Sequence, residues 1–250
     1  MRPHLSIRDL SRASAQVGAA ACRHRGAAVR VTIIDYGRGN LFSLGRALDH
    51  VGVSFRLTDR PDDVRDAECL ILPGVGAFGD AMDGLWRCGL VEPIRNAARR
   101  GVPLLGICLG MQLLATRGEE FGNHAGLDIV PGVVSRLPEG DGSAHSIRIP
   151  NVGWRRVTGT PGAAIGPGAD GAMYYFVHSY AHRPSNAHHI MATVDVNGQA
   201  VAAIVREDAI VGCQFHPEKS GADGLALLRA FFDFAVARGA AQSPVGKRTA

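Results

Sequence analysis

The chain has 250 residues, of which 46% are hydrophobic and 20% charged, with a formal net charge of +4. That balance fits an ordinary folded domain with an ample core and excludes disordered and collagen-like classes. The excess positive charge sits at the ends, in an Arg-rich stretch at 1–30 and the closing "GKRTA", so it makes no case for nucleic acid as a partner. No apolar run approaches the roughly 20 residues of a membrane span. Five cysteines (Cys22, Cys69, Cys88, Cys108 and Cys213), an odd number without a C-x-x-C pair, fit a reduced, cytoplasmic protein better than a disulfide framework.

Residues 1–28, rich in Arg, Ser and Ala and nearly free of acid, read as a disordered or targeting-like leader or as a start assigned too far upstream. Residues 239–250 read as a flexible tail, which leaves 29–238 as one folded domain. "VRVTIIDY" (29–36) predicts a strand, and 40–51 a helix with Leu41, Leu44, Leu48 and Val51 at helical spacing. "VSFRLT" (53–58) and "AECLILP" (67–73) predict two more strands. Residues 78–100 predict two short helices interrupted near Gly89 and Pro93. A buried strand at 102–107 follows, then a helical run at 111–115. This β-α-β order predicts a parallel sheet with helices on both faces. From Gly126 the texture shifts to shorter strands in "GVVSRLP", "NVGWRRV", "AMYYFVHSY", "HIMATVDVNG" and "AVAAIVRE", giving an antiparallel or mixed half. Asn197-Gly198 marks a hairpin turn. A strand at 209–217 and a helix at 221–238 close the domain.

Chemistry concentrates where the strand at 102–107 meets its helix. Gly106-Ile107-Cys108-Leu109-Gly110 reads as a thiol version of the nucleophile elbow, in which a sharp turn lifts the reactive side chain above the sheet. Glycines on either side avoid collisions with neighbouring backbone, and a helix N-terminus favours the thiolate. The base candidate is His216 in "GCQFHPEKSG", at the carboxyl end of a strand, where open α/β sheets place their sites. Glu218, two residues on, falls on the same side of an extended segment and can orient the imidazole as a third triad member. The loop "LPGVGAFGDAM" (72–82) lacks the acidic partner and the position of a dinucleotide loop. Its N–H groups, with that of Leu109, suit an oxyanion hole. Its glycines also allow it to turn a carbonyl, in place of an N–H, toward that hole. The His188-His189 pair reads as a solvated turn, since no third ligand accompanies it.

The set G-I-C-L-G-M-Q, "LPGVGAFGDAM" and "QFHPEKS" resembles the class I (triad) glutamine amidotransferases. More narrowly, "IIDYGRGNLFSLGRAL", "YYFVHSY" and "QFHPEKSG" resemble the glutaminase subunit of imidazole glycerol phosphate synthase, over about 29–238. The resemblance implies a flavodoxin-like three-layer α/β domain with a mixed sheet. It implies a heterodimer with a (β/α)8-barrel cyclase, to which ammonia is passed in histidine biosynthesis. Cys108 is then the nucleophile, forming a glutamyl thioester, with His216 as acid and base and Glu218 as its support. Gly76, Gln112, Glu120, Ser179 and Tyr180 are implied as the glutamine pocket, and Val75 and Leu109 as the oxyanion hole. Asn40, Asn151 and Trp154 are candidates for the partner-facing surface. The chemistry needs no metal or redox cofactor. The chain departs from the pattern P-H-M-G-W with Pro150-Asn151-Val152-Gly153-Trp154, and "EEFGNHAGL" (119–127) resembles a paralogous branch that supplies ammonia for nucleotide-sugar or surface-polysaccharide amination. A stand-alone thiol hydrolase and a catalytically silent regulatory subunit are the readings from other classes, and the complete Cys108, His216, Glu218 set speaks against the latter.

Overall fold

The computed structural model describes residues 29–142, 146–160 and 170–242, with side chains to residue 238. The leader at 1–28 and residues 243–250 lie outside the described residues. The first half alternates strands and helices: β1 (Val31–Ile34), α1 (Leu41–His50), β2 (Phe55–Thr58), α2 (Pro61–Arg65), β3 (Cys69–Gly74), α3 (Phe78–Arg87), α4 (Val91–Arg99), β4 (Leu104–Cys108) and α5 (Leu109–Leu113). The second half is mostly strands: β5 (Arg117–Gly118), β6 (His124–Ala125), β7 (Gly132–Arg136), β8 (Asn151–Gly159), β9 (Met173–His178), β10 (Tyr180–Pro184), β11 (Ile190–Val196), β12 (Gln199–Glu207) and β13 (Ile210–Cys213), closed by α6 (Gly221–Gln242).

A nine-stranded sheet runs β2-β1-β3-β4-β13-β12-β11-β8-β9. It is parallel from β2 to β13 and antiparallel beyond, so the expected mixed sheet is present. Its central strands are apolar on both faces because both are covered. Val31, Ile33, Cys69, Ile71, Leu105 and Ile107 pack with α1 and α6, while Ile34, Leu70, Leu72 and Leu104 pack with α2 to α5 on the other face. Odd and even strand positions thus feed two cores, and the molecule is a three-layer α/β fold. A smaller sheet, β10-β7-β5-β6, lies on the side of the second core through Val134.

Several elements differ from expectation for local reasons. Pro93 does not interrupt a helix. It stands in the first turn of α4, where its missing N–H has no intrahelical partner to lose, and the break falls at Gly89, whose φ is +66°. The helix α2 is not predicted from the sequence, because five residues carry no periodicity. It is specified by Pro61 in its first positions and by Asp62 and Asp63 in its first turn. The stretch at 172–180 is two strands in different sheets, β9 and β10. Asn197 and Gly198 both have positive φ, and Val196 pairs with Gln199, which is the two-residue turn that matches strand twist.

Candidate active site

β4 ends on Cys108 and α5 begins at Leu109, so the thiol sits on the turn between them. Cys108 has φ 55° and ψ −110°, a conformation that costs a residue with a side chain about 1–3 kcal/mol and persists only where the surroundings impose it. Those surroundings are close backbone contacts. A methyl group on Gly110 would lie 1.8 Å from the Leu72 carbonyl oxygen, and one on Gly106 2.8 Å from that of Gly110. Gly74, paired across the sheet with Cys108, is equally confined: a methyl there would be 2.5 Å from the Tyr36 hydroxyl. That hydroxyl donates to the Pro73 carbonyl at 2.9 Å and anchors the start of the 74–76 loop.

His216 follows β13 and is pinned from three sides. Its N–H donates to the Tyr175 carbonyl at 3.0 Å, while its carbonyl accepts from Lys219 N and from Ser220 Oγ. Ring Nδ1 donates to Glu218 Oε1 at 2.8 Å, with both side chains 3% exposed. The contact expected between these two residues is made by a different route, because Pro217–Lys219 is a 3-10 turn and not an extended segment. The other ring nitrogen, Nε2, has no hydrogen-bond partner among the described residues. Burial pushes the His216 pKa down more strongly than any other single influence, yet Cys108 and Glu218 together outweigh it and raise the value from 6.5 to about 9. At neutral pH the ring is therefore an imidazolium held between a carboxylate and a sulfur. Since α5 is five residues long, the imidazolium, more than the helix dipole, is the source of positive charge beside the thiol.

Residues 32–234 match the family model described as glutamine amidotransferase class-I. The chain belongs to the class-I glutamine amidotransferases. It is 42% identical over 214 residues to the imidazole glycerol phosphate synthase subunit HisH 1 of Legionella pneumophila strain Paris, covering 80% of this chain and 97% of that one. It is 47% identical over 206 residues to subunit HisH of Syntrophotalea carbinolica, covering 81% and 99%. Among solved structures, it superposes on a glutamine amidotransferase with a TM-score of 0.63 at 17% identity, covering 82% of this chain and 98% of that one. Another glutamine amidotransferase, from Thermotoga maritima, gives 0.60 at 16% identity, covering 84% and 99%. These two likenesses concern the fold.

Around Cys108, His216 and Glu218 the other candidate residues take distinct places. Val75, 39% exposed, and Gly76, with φ +101°, follow β3, and Leu109 opens α5 beside the thiol. A crevice lined by Asn40, Pro73, Gly74, Val75, His216 and Glu218 joins the 74–76 loop to the imidazole. Glu120 accepts the Phe78 N–H at the start of α3 through Oε2, at 2.8 Å. Ser179 and Tyr180 form the junction between β9 and β10. Gln112 spends its amide N–H groups on the Tyr180 carbonyl at 2.9 Å and on Gln214 Oε1 at 3.1 Å. Gln214 is not among the residues that the sequence singles out, although it stands two residues before His216. It is fully buried, and its Nε2 lies 3.9 Å from Cys108 Sγ.

Two expectations need correction. Asn151, expected on the partner-facing surface, has an internal side chain at 0% exposure, bonded to His178 and Arg155. Trp154 is 50% exposed, with its ring edge-on to Tyr175, and Asn40 caps α1 by accepting from Ser43 N. The pair at 188–189 is a solvated turn only at His188, since His189 is mostly buried with Nε2 2.6 Å from Glu207 Oε2. Among the described residues, no helix is long and apolar enough to cross a membrane.

Proposed function

We propose that the chain is a glutaminase subunit that hydrolyses glutamine through Cys108, His216 and Glu218. The Cys108 sulfur attacks the side-chain amide carbon, and the oxyanion that forms is met by N–H groups of Leu109 and Val75. The tetrahedral intermediate collapses as the C–N bond breaks, with the proton on His216 Nε2 passing to the departing ammonia. Water, deprotonated by His216, then attacks the glutamyl thioester, the C–S bond breaks and glutamate leaves. Glu218 keeps the ring oriented and its charged form favoured throughout. The observation that carries this reading is the buried imidazole bonded to the Glu218 carboxylate at 2.8 Å, its charged form favoured by both that carboxylate and Cys108.

Glutamine binds against Gly76, Gln112, Glu120, Ser179 and Tyr180. Glu120 keeps Oε1 for the substrate ammonium, since Oε2 is engaged by Phe78. Gln112 offers its amide oxygen, because its N–H groups are engaged. The released ammonia passes to a (β/α)8-barrel cyclase, in a heterodimer that makes imidazole glycerol phosphate and AICAR in histidine biosynthesis. The likeness of 42–47% to HisH subunits supports this partner over a sugar-aminating enzyme. The departure at position 151 does not weigh against it, since Asn151 alters internal hydrogen bonds and not the docking surface. The cyclase docks on the exposed side of the β8–β9 pair, where Val152, Trp154 and Val177 are exposed and where β9 accepts the His216 N–H through the Tyr175 carbonyl. Glutamate release tests the proposal. The isolated chain is expected to be nearly idle and to be stimulated at least about 100-fold by the cyclase with its acceptor ribonucleotide, the loss typical of one missing oxyanion donor. Equal rates alone and in complex would contradict it.

A further inference from the structure

Between Arg155 on β8 and the thiol runs a line of polar groups, mostly buried side chains, that passes through the Tyr180 carbonyl. Arg155 Nε donates to Asn151 Oδ1 at 3.0 Å, and Asn151 Nδ2 meets His178 Nε2 at 3.0 Å. His178 Nδ1 and Gln112 Nε2 both contact the Tyr180 carbonyl at 2.9 Å. Gln112 Nε2 also donates to Gln214 Oε1 at 3.1 Å, and Gln214 Nε2 points at Cys108 Sγ at 3.9 Å. Asn151 and Gln214 are fully buried, and His178 and Gln112 nearly so.

The Tyr180 carbonyl fixes the direction of every bond in the line, because a carbonyl can only accept. His178 must carry its proton on Nδ1, so Nε2 accepts from Asn151, and the Asn151 oxygen is left for Arg155. On the other side, Gln112 must turn its NH2 toward Tyr180, so Gln214 presents its oxygen to Gln112 and its NH2 to the sulfur. No member can flip its amide or change tautomer without leaving a buried group unpaired, which is costly. Arg155 lies on the same side of β8 as Asn151, opposite to Trp154 but next to it in the chain, so the line begins on the strand proposed above for docking.

We propose that Asn151, His178, Gln112 and Gln214 are positioning residues that tie β8 to the Cys108 sulfur, so that a shift of that strand on docking changes the hydrogen bonding of the thiol. The proposal rests on the glutaminase reading and supplies a route by which a docked partner reaches the nucleophile. Spatial continuity alone does not establish energetic coupling, so the test breaks the line at its outer joint.

In the complex with the cyclase, Asn151→Leu is expected to lower kcat for glutamine about tenfold, the worth of one buried hydrogen bond, with KM for glutamine unchanged. Full kcat in that complex, or a raised KM with kcat kept, would overturn the proposal. If Asn151→Leu fails to fold, Asn151→Asp decides the matter. Its carboxylate accepts from both Arg155 and His178, so the ring gains a proton. Burial holds the His178 pKa down to about 4, reinforced by neighbouring His216 and opposed by the Tyr180 carbonyl. In Asn151→Asp the midpoint read by ring NMR is expected to rise, and kcat of the complex to acquire a pH dependence through the new midpoint. A midpoint that stays near 4, or one that moves without altering the kcat profile, would overturn the proposal. A wild-type complex that hydrolyses no glutamine would instead defeat the glutaminase reading itself.

Discussion

Cys108→Ala is expected to lower glutamine hydrolysis by about 10,000-fold or more, in the range seen when a covalent nucleophile is removed from a triad. The size follows from the sharing of work among three side chains. His216 is charged because Cys108 and Glu218 flank it, and in the proposed reaction the sulfur attacks while that ring supplies the proton to the leaving nitrogen. Removing either partner disables the unit, so His216→Ala is expected to cost about as much, and Cys108→Ala with His216→Ala little more than either alone. Steady-state glutamate release in the complex, with thermal unfolding of each variant as a control for folding, checks this. Additive losses would show that the two side chains act separately.

Gly110→Ala is expected to destabilise the fold by more than about 4 kcal/mol, beyond the usual range for a single substitution, and to leave little soluble protein. The methyl group would lie 1.8 Å from the Leu72 carbonyl oxygen, and that oxygen belongs to β3, the strand paired with β4. Neither partner is a flexible side chain, so the sheet and the elbow would have to part. Gly37→Ala makes the useful comparison. Gly37 has φ +83° and no atom within 4 Å of an added methyl, so its substitution should cost only the backbone term of about 1–2 kcal/mol. Denaturant unfolding of both variants separates steric collision from dihedral strain. Equal losses would mean that the elbow has room that its geometry denies.

Much of the fold is readable from the residue order, and the reasons are specific. The central strands announce themselves because both faces are covered, so that 69–72 and 104–107 are apolar runs and 31–34 is one broken only by Thr32. The elbow is readable because close backbone approach leaves no residue but glycine at 106 and 110. The partnership of Glu218 with His216 is found through the wrong backbone geometry, since a 3-10 turn beginning at Pro217 brings the two side chains together as well as an extended strand would. The positions proposed for the glutamine pocket come only from family likeness, because residues 76, 112, 120 and the pair 179–180 lie on separate stretches of the chain and share no local spacing. Gln214 escapes for the same reason: its importance lies in contacts to Gln112 and Cys108, 102 and 106 residues away. Asn151 is misplaced because its neighbours on β8, Val152 and Trp154, do face outward. Alternation along a strand puts position 151 on the inner side with Gly153, away from them.

The raised His216 pKa also sets a pH window for stability. A folded value of about 9 lies above the ordinary 6.5, so the imidazolium stabilises the fold in full below about 6.5. That contribution is lost as pH rises through about 9. The measurement that tests the triad most directly is the titration of His216, followed by ring NMR in the wild-type chain and in Cys108→Ala. The expected midpoint is near 9 in the wild type, with a clear fall in the variant, because Cys108 is the strongest influence raising it. A midpoint that is the same with and without the thiol would contradict the claim that Cys108 and His216 act on each other as one unit.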